Sequence, residues 1–263
     1  MKLATKSAVI TAATSQFGHV IARAYVNEGA DVYLHDWPEN KTELEALRKE
    51  LAAPGRRVEA GTHAINSTAG ATELAGAVLK AFGKIDILVN TTSGPAHGTF
   101  LEYPEAKFRE TLDRGITTYF LCCQTIGKEM ARVGYGKIIN LSSIVGRIGS
   151  GGAVGWGADR GGIDSMTAAI AQALGPYGIN VVALARGATD TTVYPKDAVD
   201  DRLRRMAFGR LGRESDIIGP AVFLASDDAG WITGSVIYCD GGYVTAAATD
   251  AADRPKEIPY RGK

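Results

Sequence analysis

SAVITAATSQFGHVIARAYVNEGADVYLHD, residues 7–36, decides the fold. It begins with a short apolar run at 7–11 (SAVIT). A helical pattern follows, with Val20, Ile21, Ala24 and Tyr25 falling on one face. Gly29 stands where a terminal glycine closes such a helix, and 31–35 (DVYLH) reads as a second strand. Strand, helix and strand in so short a span make the βαβ unit of a parallel sheet.

The alternation continues outward. Residues 39–53 are charged and leucine-spaced, an amphipathic helix, and 58–65 supplies a third strand. A helix at 71–82 leads to a strong fourth strand at 85–90 (IDILVN). Helical stretches cover 104–132, followed by a strand at 136–141, a long helix at 157–174 and a strand at 179–185. A helix at 214–225 and a strand at 235–239 complete the series. This order predicts an α/β chain: a Rossmann-like, doubly wound parallel sheet of about seven strands with helices on both faces. Residues 1–245 read as one Rossmann-type domain. Residues 246–263 form a polar tail holding Pro255 and Pro259, either an arm across a neighbouring subunit or a frayed terminus.

Composition excludes several classes. The chain has 263 residues, 45% hydrophobic and 22% charged, which is globular and neither disordered nor a disulfide scaffold. Its 32 glycines follow no fixed period, so they mark tight turns and not a collagen. Lys+Arg and Asp+Glu are both 29, and this zero balance gives no footprint for nucleic acid. Cys122, Cys123 and Cys239 have neither metal nor redox spacing and read as buried, reduced thiols. The basic N-terminus precedes only a four-residue apolar run, and no window approaches a membrane span. The expectation is a cytoplasmic protein with no membrane, metal or nucleic-acid partner.

In a doubly wound sheet the ligand crevice lies outside the carboxyl ends of the strands, at the switch point. The residues to inspect are therefore 11–18, Asp36, 64–66, 90–94, 142–143 and 186–192.

The segments in this order resemble the short-chain dehydrogenase/reductase family from about Ser7 to Tyr243. The most specific stretches are Gly209-Arg210-Leu211-Gly212-Arg213, Phe223-Leu224-Ala225-Ser226-Asp227, Ile232-Thr233-Gly234 and Asp240-Gly241-Gly242. Leu88-Val89-Asn90 and Ile139-Asn140-Leu141-Ser142-Ser143 match as well. The resemblance implies a nicotinamide dinucleotide in the crevice and an Asn, Ser, Tyr, Lys catalytic set.

The functional positions depart from that pattern. The family's first turn, T-G-x-x-x-G-x-G, stands here as Thr11-Ala12-Ala13-Thr14-Ser15-Gln16-Phe17-Gly18. Gln16 puts a side chain where a glycine lets backbone approach the pyrophosphate. Asp36, at the end of the second strand, suits either an adenosine ribose, favouring NAD, or a turn before Trp37-Pro38. The family's adenine-contacting aspartate falls on Ala64. Its N-N-A-G turn stands as Asn90-Thr91-Thr92-Ser93, and its P-G turn as Arg186-Gly187, with Thr191 matching the later threonine. Ser143 fits the catalytic serine, but thirteen residues on stands Trp156 and four further Arg160. The asparagine position falls on Gly115. An indole N–H has no useful acidity and a guanidinium stays protonated, so the proton carrier is missing. Tyr194 lies in the loop after the sixth strand, where it either approaches a ligand or packs the loop; His97 stands in the loop after the fourth.

Three functions follow from the resemblance. The first expectation is a non-catalytic subunit that binds no dinucleotide and completes a tetramer with an active paralogous dehydrogenase of the alcohol or hydroxyacyl-CoA type. Thr11, Gln16, Gly18, Asp36, Asn90 and Thr191 are then vestigial, and Arg160 neutralises the crevice against Asp159 or Asp164. The second is a halohydrin-dehalogenase-like lyase using Ser143 and Arg160, a set in which Trp156 replaces the needed tyrosine. The third is an NAD-dependent oxidoreductase in which Ser143 orients a carbonyl and water or Tyr194 supplies the proton.

Overall fold

The computed structural model describes residues 1–95, 97–192 and 196–245. The strands are β1 (Ser7–Ile10), β2 (Asp31–Asp36), β3 (Val58–Thr62), β4 (Ile87–Asn90), β5 (Gly136–Ser143), β6 (Ile179–Arg186) and β7 (Val236–Cys239). The helices are α1 (Gln16–Asn27), α2 (Lys41–Leu51), α3 (Thr68–Phe82), α4 (Glu105–Leu112), α5 (Thr118–Val133), α6 (Val154–Leu174), α7 (Lys196–Arg205) and α8 (Ile218–Ala225). The strands pair in parallel in the order β3-β2-β1-β4-β5-β6-β7. The chain reverses direction between β1 and β4, so the switch point opens between their carboxyl ends.

Both faces of the sheet are covered. Phe17, Ile21 and Tyr25 of α1, Leu44 and Leu47 of α2 and Val222 and Leu224 of α8 pack on one side. Leu74 and Val78 of α3, Cys122 and Ile126 of α5 and Ala171 of α6 pack on the other. All three cysteines are free thiols, and Cys122 and Cys123 are buried. No helix among the described residues is long and apolar enough to cross a membrane.

The structure moves several expected boundaries. Residues 39–53 divide into a short 3-10 turn at Pro38–Asn40 and then α2, because Pro38 starts the turn. β3 stops at Thr62, short of 65. The long helix begins at Val154. α7 was not legible, since KDAVDDRLRR is short and strongly charged and holds only three apolar residues, Ala198, Val199 and Leu203. The 104–132 stretch is broken by a π turn at Asp113–Thr117, in which Gly115 leaves helical geometry (φ −98°, ψ −109°). Gly29 closes α1 in the left-handed region (φ 94°). The tail 246–263 and Tyr194 lie outside the described residues.

One buried pair makes stability sensitive to acid. His35 on β2 and His63 just after β3 stack with ring centroids 5.7 Å apart. His35 Nε2 lies 3.0 Å from the His63 carbonyl oxygen, and neither Nδ1 has a hydrogen-bond partner. Burial pushes the His35 imidazole down to about 4, and burial lowers His63 too, against the pull of Glu73. The native state therefore binds fewer protons than the unfolded chain below the ordinary histidine value. The stabilisation is full above that value and declines as pH falls towards 4, by about 3 kcal/mol at the limit for His35. Urea midpoints at pH 7.5 and at pH 5 check this. The midpoint is expected to drop at the lower pH, and His35→Leu is expected to flatten the decline; a wild-type midpoint equal at both pH values contradicts it.

Candidate functional site

The turn after β1 keeps a glycine-type backbone at Ala12 although two of the three glycines are replaced. Ala12 is left-handed (φ 46°), a conformation costing an L-residue about 1–2 kcal/mol. Ala12→Gly is thus expected to raise stability by about 1 kcal/mol in a urea titration, with no change or a decrease as the contrary result. Gly18 is still required, because a Cβ there would lie 2.4 Å from the Ala12 carbonyl oxygen. Ser15 caps α1, its side chain accepting from the Gly18 N–H. Thr11 faces inward: its Oγ1 accepts from the Thr91 N–H at 3.0 Å and so ties the ends of β1 and β4.

Asp36 is fully buried, and both its oxygens are engaged. Oδ2 accepts from Thr14 N and Oγ1 at 2.9 and 2.7 Å; Oδ1 accepts from Trp37 N and Asn40 Nδ2, each at 2.8 Å. These are the contacts of the turn aspartate, clamping the first turn to the end of β2. Asn90 also points into the interior, donating to Asn140 Oδ1 at 2.9 Å and to Cys123 Sγ at 3.4 Å.

Side chains cross the crevice along its length. At the β2 end, Arg114 bonds Glu39 and lies 4.7 Å from the Trp37 ring, and Asn66 bonds Asp113 at 2.8 Å. In the middle, Gln16 Nε2 donates to Thr191 Oγ1. At the β5–β6 end, the Arg186 guanidinium is 4.8 Å from the Phe17 ring and 5.1 Å from the Trp156 ring. A cation so placed between two aromatic faces is held electrostatically by both. The space left between Ser15, Thr91, Ser142, Trp156, Arg160 and Arg186 is about 160 Å³.

Trp156, Arg160 and Gln16 line that remnant together, and Thr191 is bonded to Gln16. Ser143 does not face it. Its Oγ accepts from Val145 N at 3.5 Å, and it lines an adjoining cavity of about 180 Å³ with His97 and Trp156. The His97 ring meets Trp156 edge-on at 5.7 Å.

Behind the crevice, α6 buries Asp159 and Arg160 with the same face that carries Gly155, Ile163 and Thr167. Arg160 Nη1 donates to Tyr119 Oη at 3.0 Å and to the Leu141 carbonyl at 2.7 Å; Nη2 donates to the Thr92 carbonyl at 3.0 Å. Nε lies 3.3 Å from Asp159 Oδ2. Burial opposes the Arg160 charge, but facing Tyr119 and Asp159 outweigh it and hold its pKa above the ordinary value. Burial pushes the Asp159 carboxyl up, while Arg160 and the Ile116 N–H pull it back.

Gly115 explains itself in this cluster. Asp159 Oδ1 accepts from Ile116 N at 2.7 Å and would lie 1.9 Å from a Cβ on Gly115. The aspartate takes the space of a side chain there and caps the π turn. Gly115→Ala is expected to destabilise by about 1–3 kcal/mol in urea titrations, and an unchanged midpoint contradicts that close approach.

The comparisons decide the family. Residues 11–244 match the family profile described as Enoyl-(Acyl carrier protein) reductase. The chain belongs to the short-chain dehydrogenase/reductase family. Similar proteins include a 3alpha-hydroxysteroid dehydrogenase of Mediterraneibacter gnavus, 29% identical and covering 92% of this chain and 98% of its own length. A (2S)-[(R)-hydroxy(phenyl)methyl]succinyl-CoA dehydrogenase subunit of Thauera aromatica is 31% identical, with coverages of 92% and 98%. The 3-oxoacyl-[acyl-carrier-protein] reductase of Staphylococcus epidermidis is 32% identical, with coverages of 90% and 98%. A crystal structure from Sinorhizobium meliloti, assigned as a short-chain alcohol dehydrogenase, superposes with a TM-score of 0.86 at 31% identity, covering 94% of this chain and 99% of that one. This short-chain dehydrogenase/reductase thus sits among oxidoreductases.

Sequence reasoning marked Gln16, Trp156, Arg160 and Arg186 as positions and missed the contacts they make across the crevice. Arg186 and Phe17 lie far apart in sequence, and no spacing pairs them. Trp37 with Arg114 was equally unmarked.

Proposed function

We propose that this chain is a non-catalytic subunit of a heteromeric NAD-dependent dehydrogenase of the alcohol or hydroxyacyl-CoA type. It contributes fold and interface to an active paralogous subunit. The observation that carries the reading is the Arg186 guanidinium at the carboxyl end of β6, which reaches Phe17 at the start of α1 and Trp156 of α6. The residues present do not fit a dinucleotide. The remnant of about 160 Å³ is smaller than an ordinary small-molecule pocket, and Gln16, bonded to Thr191, lies across it. Trp156 and Arg160 cannot carry a proton at neutral pH. The Thauera relative, by its name a dehydrogenase subunit for a CoA thioester, supports a partnered assembly. Calorimetric titration of NADH and of NADPH into the purified chain tests it. No saturable binding below about 1 mM is expected, and a micromolar dissociation constant overturns the reading.

A second reading has its own observation. Trp156 Nε1 is buried without a hydrogen-bond partner, beside the Arg160 guanidinium in the small cavity. Those donors suit a small anion, as a dehalogenase-like pocket requires. Bromide titration of tryptophan fluorescence separates the two. Saturable quenching that Arg160→Gln abolishes favours the second reading; a linear, collisional response favours the first.

A further inference from the structure

The carboxyl end of β3 borders the crevice and is lightly tied. β3 stands at the edge of the sheet and pairs with β2 alone, ending at the Asp36–Thr62 pair. Beyond it, His63 N reaches the Asp36 carbonyl at a long 3.3 Å, and Asn66 bonds Asp113 at 2.8 Å. Ile65, fully buried, anchors the segment to the core.

Two imidazoles are stacked under this corner. The rings of His35 and His63 lie 20° from parallel with centroids 5.7 Å apart. His35 is fully buried. His63 is half-buried against the Tyr33 ring and Gly61, where a Cβ would lie 3.0 Å from its Cε1. His35 Nε2 faces the His63 carbonyl oxygen at 3.0 Å, so that nitrogen carries the hydrogen and donates. His35 Nδ1 is then a bare lone pair, and neither it nor His63 Nδ1 has a hydrogen-bond partner. Both rings are therefore packed for the neutral form. A proton on either Nδ1 makes a buried donor without an acceptor, and a proton on both sets two cations face to face.

The surrounding groups do not answer such a proton. From β2, the Asp36 carboxylate is committed to Thr14, Trp37 and Asn40. Tyr33, also on β2, is neutral, and burial and Glu59 of β3 push its phenol up further. Glu73 of α3 favours a charged His63, but burial outweighs it. Trp37 meets the His35 ring edge-on at 6.4 Å and holds Arg114, itself bonded to Glu39, against its own ring.

We propose that residues 61–66 are a proton-triggered flap at the β2 end of the crevice. Charging the His35–His63 stack swings His63 to solvent, frees Asn66 from Asp113 and bares that end of the crevice. Ile65 and the Asn66 bond hold the flap shut at neutral pH. Burial pulls both imidazoles below their ordinary value, His35 to about 4. The released state therefore binds more protons and gains population as pH falls from about 6.5 towards 4. For His35 alone the gain between pH 7.5 and pH 5 is about thirtyfold. The flap goes beyond the non-catalytic reading and does not depend on it.

Hydrogen–deuterium exchange of the full chain tests it, read by mass spectrometry at pH 7.5 and pH 5 and corrected for intrinsic rates. Protection of the amides of 61–66 is expected to fall at least about tenfold at pH 5, while β5 and β6 keep theirs. The double variant His35→Leu, His63→Phe keeps apolar bulk and a ring at the stack and has no proton to gain there. It is expected to protect 61–66 equally at both pH values. The wild-type profile decides by itself. Unchanged protection at 61–66 overturns the proposal, and so does a loss spread evenly over all strands, which is global unfolding. A folded double variant that keeps the wild-type response overturns it as well. No nucleotide or partner enters the experiment, so failure here leaves the non-catalytic reading standing.

Discussion

Arg160→Ala lowers the stability of the chain by about 3–5 kcal/mol, the penalty of stranding a buried charge. The guanidinium is 5% exposed and its Asp159 partner is fully buried. Removing it leaves the Asp159 carboxylate without its cation and withdraws the donors from Tyr119 Oη and the Leu141 and Thr92 carbonyls. Chemical denaturation at pH 7 measures the loss. Two controls tie it to the charge. Asp159→Asn in the Arg160→Ala background is expected to recover part of the stability, because no charge is then stranded. Lowering pH is expected to shrink the gap between Arg160→Ala and wild type, because burial already raises the Asp159 carboxyl. A loss under about 1 kcal/mol would show that the cluster is solvated and that its burial does not govern the fold.

Reopening the crevice is expected to create nucleotide affinity. Three side chains occupy the space between β1, α6 and β6: Gln16 bonded to Thr191, Trp156, and Arg186 between Phe17 and Trp156. The combined variant Gln16→Gly, Trp156→Tyr and Arg186→Ala removes the amide from the pyrophosphate path and the cation from the far end. NADH binding by this variant is expected to be at least about thirtyfold tighter than by wild type, read by calorimetry. Arg186→Ala alone is expected to give a smaller gain, since Gln16 still crosses the middle. If the triple variant folds with an unchanged urea midpoint and its NADH affinity does not move, these side chains are not what closes the crevice. Turnover is not expected from it, because Arg160 remains in place of a lysine and Gly115 in place of an asparagine.

The fold was readable because its signals are local. Apolar runs such as ILVN and SAVI and the helical face of Val20, Ile21, Ala24 and Tyr25 each lie within one element. The order of those elements then fixes a parallel sheet. What failed locally depended on distant partners or carried no pattern. The π turn at Gly115 exists because Asp159, from another helix, caps Ile116 and fills the space a Cβ would need. α7 is short and strongly charged, with only Ala198, Val199 and Leu203 apolar, so it offers too few apolar residues to read as a helix by itself.

The site was readable as positions and not as occupants. Gln16, Trp156 and Arg160 stand out as substitutions in a recognisable pattern, and they line one small cavity. Asp36 could serve a ribose or a turn, and only the folded chain brings Thr14, Trp37 and Asn40 to both its oxygens. Arg186 was visible as the replacement of a proline. Its lodging between residues 17 and 156 depends on three chain segments meeting, which no spacing rule encodes.

The measurement that tests the central claim most directly is native mass spectrometry of the complex purified from its own source at natural abundance. The account predicts a mixed assembly in which this chain pairs with an intact short-chain dehydrogenase/reductase and only the partner carries a dinucleotide. A homo-oligomer of this chain with one dinucleotide bound per subunit would contradict it.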